Sequence, residues 1–311
     1  MVPKVSIIVC AYNNKNIIGS CLNSISKQSY KNFRAYVIDD NSSDGTFDYI
    51  KERYPWIVFQ NKKENSGPSI SRNIGVSISN SDYIAFLDSD VELGKDWLKE
   101  CVKLMDSNKK IGICGSKLLY KSSKNKINSI GGAISRIGIG SDIAKGENDK
   151  FFDKNKILFA CSAAILVRRS MLQKIGCFDN TFFYSYEDTD LGWRANLAGY
   201  DVIFNPKAIA YHNLNETIKH ITEKVCFHST KNRVRMLIKN YELHNLAIYL
   251  PILILASFFD ILFRKYKIAK VKGLVWNFLN IKDTLLERKN VQKHRNLKDK
   301  FLFNMFKKGW F

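Results

Sequence analysis

Between residues 5 and 87, short apolar β-branched runs alternate with segments of helical periodicity, and this alternation restricts the fold more than any other feature of the chain. Strands are expected at 5–10, 34–39, 56–60 and 83–87, with helices at about 15–27, 45–53 and 68–79 between them. Strand–helix–strand repetition is the sequence form of an α/β fold, a mostly parallel sheet flanked by crossover helices. Ligands bind such sheets outside the carboxyl ends of the strands. Four polar stretches stand there and together can wall one pocket: Ala11-Tyr12-Asn13, Asp39-Asp40-Asn41, Glu64-Asn65-Ser66-Gly67 and Asp88-Ser89-Asp90.

From about 110 to 160 the pattern turns Gly-rich and irregular (Gly131, Gly132, Gly138, Gly140, Gly146), which reads as loops and short strands covering that pocket. An apolar run, Cys161 to Val167, then leads to the acidic knot Glu187-Asp188-Thr189-Asp190, and the pattern ends near His212. At 311 residues the chain has room for one large α/β domain and an appendage. The expected division is a domain over 1–218, in halves of about 1–110 and 111–218, followed by a basic helical region over 219–311.

The charge is uneven. Of 49 Lys+Arg and 29 Asp+Glu, 20 and 7 lie from Asn213 onward, so +13 of the net +20 sits in the last 99 residues and an anionic surface is expected to dock there. Leu246 to Phe263 is apolar apart from Pro251, Ser257 and Asp260, near the lower length limit for crossing a bilayer. Fourteen Lys/Arg follow Phe263, which disfavours a single crossing. A re-entrant or interfacial segment, backed by the basic tail and by Trp276 and Trp310, suits the charges, against the plainer alternative of a buried core helix. The seven cysteines show no C-x-x-C pair and several lie in apolar runs, so they read as reduced core residues. The N-terminus enters a strand at once, without an apolar signal segment, and the cytoplasmic face of the cell membrane is the expected location.

Asp88 and Asp90, two apart past a buried strand, can share a hard cation with a diphosphate, or merely cap a turn. Asp40 can accept hydrogen bonds from a nucleobase or ribose, while Asp44-Gly45 is explained as turn chemistry. Arg72, one turn into a helix that follows Asn65-Ser66-Gly67, can reach phosphate. Crowding among Glu187, Asp188 and Asp190 raises carboxyl pKa values and suits a general base, although a helix N-terminus also collects acids. His212 reads either as a metal ligand or as an ordinary partly buried histidine.

These motifs, with Val5 to Asn13, Asn65-Ser66-Gly67 leading to Arg72-Asn73, and Gly176-Cys177-Phe178-Asp179, resemble the family 2 glycosyltransferases of the Rossmann-like GT-A fold over roughly residues 3 to 215, near the rhamnosyltransferase-like oligosaccharide and envelope-glycan enzymes. The resemblance implies an inverting hexosyl- or deoxyhexosyltransferase that uses UDP-, TDP- or GDP-sugar and manganese or magnesium. Ala11, Tyr12, Asn13, Asp40, Arg72, Asp88 and Ser89 would bind the nucleotide sugar. Asp88, Asp90 and His212 would hold the metal, Asp188 would be the base, and Ser162, Glu187 and Arg194 would bind a glycan or lipid-linked acceptor. Where many relatives carry a Ser-Gly-Ala-like turn under the acceptor, this chain has Ser162-Ala163-Ala164, whose extra methyl is expected to narrow the pocket.

Three rivals weigh less. A sugar nucleotidyltransferase would want a Gly-rich basic loop after the first strand, where Ala11-Tyr12-Asn13-Asn14 stands. No nucleic acid is expected as partner, because the basic excess flanks an apolar segment instead of interleaving with aromatics along a sheet. A non-catalytic glycan-binding protein would have no need of Asp90 and Asp188.

Overall fold

The computed structural model describes residues 2–213 and 222–307. Its first part is the expected alternation: β1 (Val5–Ala11), α1 (Ile18–Ser26), β2 (Phe33–Asp39), α2 (Thr46–Arg53), β3 (Val58–Asn61), α3 (Pro68–Ile78) and β4 (Tyr83–Asp88). Ile7, Ile8, Val9, Val37, Ile38 and Ile84 to Leu87 are fully buried on both faces of the sheet, which is why these strands are continuously apolar. Helix α3 opens with Pro68, whose missing N–H costs nothing in a first turn. Gly67 before it has φ +88°, and a Cβ there would lie 2.8 Å from the Phe183 carbonyl oxygen, so only glycine fits this approach.

The chain continues through β5 (Val91–Leu93), α4 (Trp97–Ser107), β6 (Ile111–Tyr120), β7 (Ser123–Ser129), β8 (Gly132–Ile134), β9 (Gly140–Asp142), β10 (Asn155–Lys156), β11 (Ala164–Arg168), α5 (Arg169–Ile175), α6 (Glu187–Leu197) and β12 (Asp201–His212). The sheet order is β10-β12-β6-β11-β4-β1-β2-β3, with β5 added to β12 and β7 to β6. Along it β3, β2, β1, β4, β6 and β12 run the same way, while β11 and β10 oppose them. The span read as pocket-covering loops therefore begins with a ten-residue interior strand, β6. Its glycines hide it from a propensity argument, yet they serve packing. A Cβ on Gly112 would meet Met171 Sδ at 2.4 Å, and one on Gly115 the Ala160 Cβ at 2.7 Å.

The last part is helical: α7 (Glu223–Asn240), α8 (Leu243–Phe263), α9 (Lys267–Leu279), α10 (Ile281–Lys293) and α11 (Asp299–Leu302). The anticipated boundary at 218/219, and Trp310, lie outside the described residues. Residues on either side of the boundary share one core, in which Phe182, Trp193 and Leu197 pack with Leu237, Tyr241 and Leu253. Charges bind the two parts as well. Lys239 Nζ lies 2.7 Å from Asp179 and 3.1 Å from Asp190, Arg235 Nε donates to Asp179 at 2.8 Å, and Asn240 donates to Asp190 at 3.1 Å. Burial alone would raise the carboxyl of Asp190, but Lys239 and Arg194 hold it low.

Helix α8 is long and apolar enough to cross a bilayer by length and composition, yet only 17% of its apolar stretch is buried. It is amphipathic in the inverted sense. Asn245, Tyr249, Leu253 and Ser257, four apart, face the protein, while Ile248, Ile254, Leu255, Phe258, Phe259, Leu262 and Phe263 are exposed. A core helix of a soluble domain would show the reverse arrangement. The seven cysteines are free; Cys21, Cys101 and Cys114 are buried core residues, whereas Cys10, Cys161, Cys177 and Cys226 are half-buried.

Asp179→Ala leaves Arg235 and Lys239 without their shared carboxylate and is expected to lower stability by about 3–5 kcal/mol, the usual cost of breaking a buried pair. The denaturation midpoint measures it, and a loss below about 1 kcal/mol would contradict the lattice's role.

Candidate active site

The carboxyl ends of β4 and β12 meet because β5 follows the Asp88-Ser89-Asp90 turn immediately and pairs antiparallel with the end of β12, with His212 opposite Val91 and Tyr211 opposite Glu92. Asn213 N–H also donates to the Asp90 carbonyl at 2.9 Å. The register thus sets His212 beside Asp90, and the donor atoms of Asp88, Asp90 and His212 all lie within 4.8 Å of one another. His212 Nε2 is 3.4 Å from Asp90 Oδ1, and Nδ1 is 3.0 Å from Asn128 Oδ1 on β7. A proton on Nδ1 shared with Asn128 leaves the Nε2 lone pair directed at the carboxylates. Burial works against charging this imidazole, but the hydrogen bond with Asp90 prevails and raises its pKa. Two carboxylates and one imidazole, anchored from behind, fit a divalent cation such as manganese or magnesium and leave coordination positions for phosphate oxygens.

Arg72 occupies the centre. Its guanidinium, 2% exposed, donates to Asp88 at 2.8 Å and to Glu187 Oε1 at 3.2 Å, and lies 5.2 Å from the centre of the Phe178 ring. Burial opposes its charge, but Asp88 and Glu187 overcome this and raise its pKa. Arg72 Nε and Glu187 Oε2 are buried without a hydrogen-bond partner. The bridge therefore holds two buried polar atoms without partners.

Asp188 follows Glu187 in the first turn of α6. Ser185 and Tyr186 before it hold left-handed conformations, φ 66° and 70°, and Asn232 of α7 pins them by donating to the carbonyls of Tyr184 and Ser185 at 2.7 Å each. Asp188 Oδ1 accepts from Thr189 N–H at 2.6 Å, while Oδ2 has only the Ser162 N–H at 3.4 Å. Burial, then the adjacent Glu187 carboxylate, pushes its pKa up to about 7. A carboxylate with one loosely held oxygen and a pKa near neutrality is chemically suited to taking a proton.

The other expected residues divide. Tyr12 is 47% exposed at the end of β1, whereas the Ala11 side chain is buried in the core. Asn13 is a turn residue, φ 50°, latching β1 to β2 through Ser42 Oγ and Ser43 N–H, each at 2.8 Å. Ser89 donates to Asn14 Oδ1 at 3.0 Å. Asp40 accepts from Lys62 at 2.5 Å and from the N–H groups of Ser66 and Gly67 at 3.0 and 2.8 Å, so it holds the loop before α3 in place. Ser162 approaches Asp188 through its backbone. Arg194 is not directed at the cluster: its buried guanidinium pairs with Asp190 at 2.8 Å and donates to the carbonyls of Ile175, Gly176 and Cys177. Nor does the Ala163 methyl narrow an acceptor pocket, since it is buried in the core and the Ala163 carbonyl accepts from Asp88 N–H. Lys62, Asn128 and Asn232 were not expected. Each acts across a long sequence separation and carries no local signal.

The sequence profile described as Glycosyl transferase family 2 matches residues 6–176. Glycosyltransferase GlyA of Streptococcus pneumoniae serotype 4 is 33% identical over 102 residues, which make up 32% of this chain and 15% of GlyA, so the likeness spans a small part of that protein. Two solved structures share the fold. The mannosyltransferase PcManGT from Pyrobaculum calidifontis, in complex with GDP-Man and Mn2+, superposes with TM-score 0.58 at 15% identity, covering 94% of this chain and 86% of that one. GalNAc-T7 with UDP, GalNAc and Mn2+ gives 0.69 at 14% identity, covering 98% and 56%.

Because the native state holds the Asp188 proton more tightly than an unfolded carboxyl of ordinary pKa near 4, its charge destabilises the fold above pH 7 and has no effect well below pH 4. Asp188→Asn is accordingly expected to be more stable than the parent at pH 8 in metal-free buffer, by on the order of 1–3 kcal/mol, with the difference closing toward pH 4. Thermal unfolding at the two pH values measures this. Equal stability of the two proteins at pH 8 would contradict the assignment.

Proposed function

The chain belongs to glycosyl transferase family 2, and from that premise we propose that it moves a hexosyl or deoxyhexosyl group from a UDP-, TDP- or GDP-sugar to a hydroxyl of a glycan or lipid-linked acceptor, with inversion at the anomeric carbon. The observation that carries this reading is a near-neutral carboxyl, Asp188, set beside a cation cluster and joined to it through Glu187 and Arg72. Asp88, Asp90 and His212 would hold manganese or magnesium, which neutralises the departing diphosphate when bound. Tyr12, Asp40 and Ser89 would flank the nucleoside sugar on the β1 and β2 side of the sheet. PcManGT and GalNAc-T7 in their complexes with GDP-Man or UDP and Mn2+ support a donor of this class.

On the acceptor side, Glu187 Oε2 would receive a hydrogen bond from an acceptor hydroxyl, and Asp188 Oδ2 would remove the proton from the attacking one. The oxygen attacks opposite the leaving diphosphate, while Arg72 compensates the negative charge that the carboxylates and phosphates bring together. In this reading residues 1–110 serve the donor, 111–218 the acceptor, and 219–311 dock the enzyme on the cytoplasmic face of an anionic membrane. The inverted amphipathicity of α8 and the +13 charge of the last 99 residues support that docking.

Two measurements test the proposal. In a panel of UDP, TDP, GDP and their sugars with manganese, one nucleotide at 100 times its dissociation constant is expected to raise stability by about 2.7 kcal/mol, and no shift with any of them would remove the donor reading. Asp188→Asn is expected to lower kcat by about 10²–10⁴-fold while retaining that nucleotide shift; near-normal turnover would mean that another group is the base.

A further inference from the structure

Away from the carboxylate cluster, a groove of about 1160 Å³ lies between α7, the second half of α8 and the turn into α9. This exceeds the roughly 300–1,000 Å³ of a typical small-molecule pocket, enough for more than a phosphate ion. One wall is apolar, formed by Val225, Ala256, Phe259 and Phe263. It runs on into the uncovered face of α8, where Phe258, Phe259, Leu262 and Phe263 are 55%, 51%, 45% and 79% exposed.

Four cationic groups also line the groove, along with Ser229 and Thr230. Arg233, Arg264, Lys265 and Lys270 line it with a single carboxylate, Asp260. Asp260 is already engaged by Lys270 at 2.6 Å and Arg264 at 3.3 Å. Among the described residues Arg233 has no carboxylate partner: Nη2 reaches only Ser257 Oγ, at 3.4 Å, and Nε is buried without a hydrogen bond. Leaving a guanidinium donor buried and unpaired is costly, and an oxyanion removes that cost. Arg264 and Lys265 stand where the helix ends, next to the most exposed phenylalanine of α8.

A pocketed guanidinium, a cationic rim and an apolar wall opening onto an exposed apolar helix match one chemistry, the junction between a phosphate headgroup and hydrocarbon chains. We infer that this groove binds an anionic phospholipid of the membrane, its phosphate on Arg233 with Arg264 and Lys265, and its acyl chains across Phe259 and Phe263. The inference rests on the membrane reading of the C-terminal region and adds to it a defined lipid site. A bound lipid would orient the chain on the surface as well as hold it there. Ile139, which also lines the groove, packs against the same core cluster as Tyr186, two residues before Asp188.

The test is flotation of the full-length chain with phosphatidylcholine vesicles, with and without phosphatidylglycerol, at about 0.5 M salt to suppress diffuse surface attraction. Arg233→Gln and the rim pair Arg264→Gln with Lys265→Gln are compared with Lys282→Gln, which removes an equal charge from an exposed site on α10. Each groove variant is expected to lose at least about fivefold in binding to phosphatidylglycerol vesicles, what the loss of one direct hydrogen bond of about 1 kcal/mol gives, and Lys282→Gln less than twofold. Groove variants that float like the parent, or a parent indifferent to phosphatidylglycerol, would overturn the site. So would a parent dimer that Arg233→Gln dissociates, because the groove would then belong to a second copy. Loss of transfer to a lipid-linked acceptor with unchanged vesicle binding would assign the groove to the acceptor and equally overturn it. Nucleotide-induced stabilisation, measured on the same variants, reports separately on the transferase reading.

Discussion

A single buried guanidinium organises the site. Arg72 draws Asp88 at the end of β4 and Glu187 at the start of α6 to within hydrogen-bonding distance of one cation, although the two carboxylates come from opposite halves of the chain. Without that charge, Asp88, Asp90, Glu187 and Asp188 would repel one another, and burying them would be prohibitive. With it, Asp88 and Glu187 are held together on one guanidinium. Asp188, beside the bridge but not in it, is pushed up to about 7 by burial and then by the Glu187 carboxylate.

The bridge works only if α6 is held firmly, and that task falls to the C-terminal helices. Asp190, on the buried side of the same helix, is fixed by Arg194, Lys239 and Asn240, and Asn232 holds the strained Ser185-Tyr186 pair that launches it. Helix α7 is thus part of the support of the site. Its other side forms a wall of the groove beneath α8, so the element that fixes the proposed base also faces the proposed membrane surface.

The first half of the fold was legible because β1, β2 and β4 are apolar and largely buried on both faces and the connections up to β4 are helices, which leaves an unambiguous change of period. Expected and observed strands agree closely, as at 34–39 against Phe33–Asp39. Strand β6 was not legible, since Gly112 and Gly115 are chosen by the atoms packed against them and not by strand propensity. The same division holds in the site. Asp88 and Asp90 announce themselves by position, and Glu187-Asp188 by crowding. Arg194 drew attention as a basic residue beside the acidic knot, but whether an arginine on a helix turns inward to Asp190 or outward to a ligand depends on tertiary packing. Asn128 and Lys62 are ordinary surface-type residues in sequence, and only sheet register gives them partners.

The central claim is that the register of β5 on β12 builds a cation site from Asp88, Asp90 and His212 that a nucleoside diphosphate completes. Manganese binding, followed by the loss of the free-ion electron paramagnetic resonance signal with and without the nucleotide that stabilises the chain, tests it most directly. The account expects the nucleotide to tighten manganese binding, and His212→Ala and Asp90→Asn each to weaken it by about tenfold or more. Manganese affinity unaffected by both substitutions would place the cation elsewhere and contradict the account.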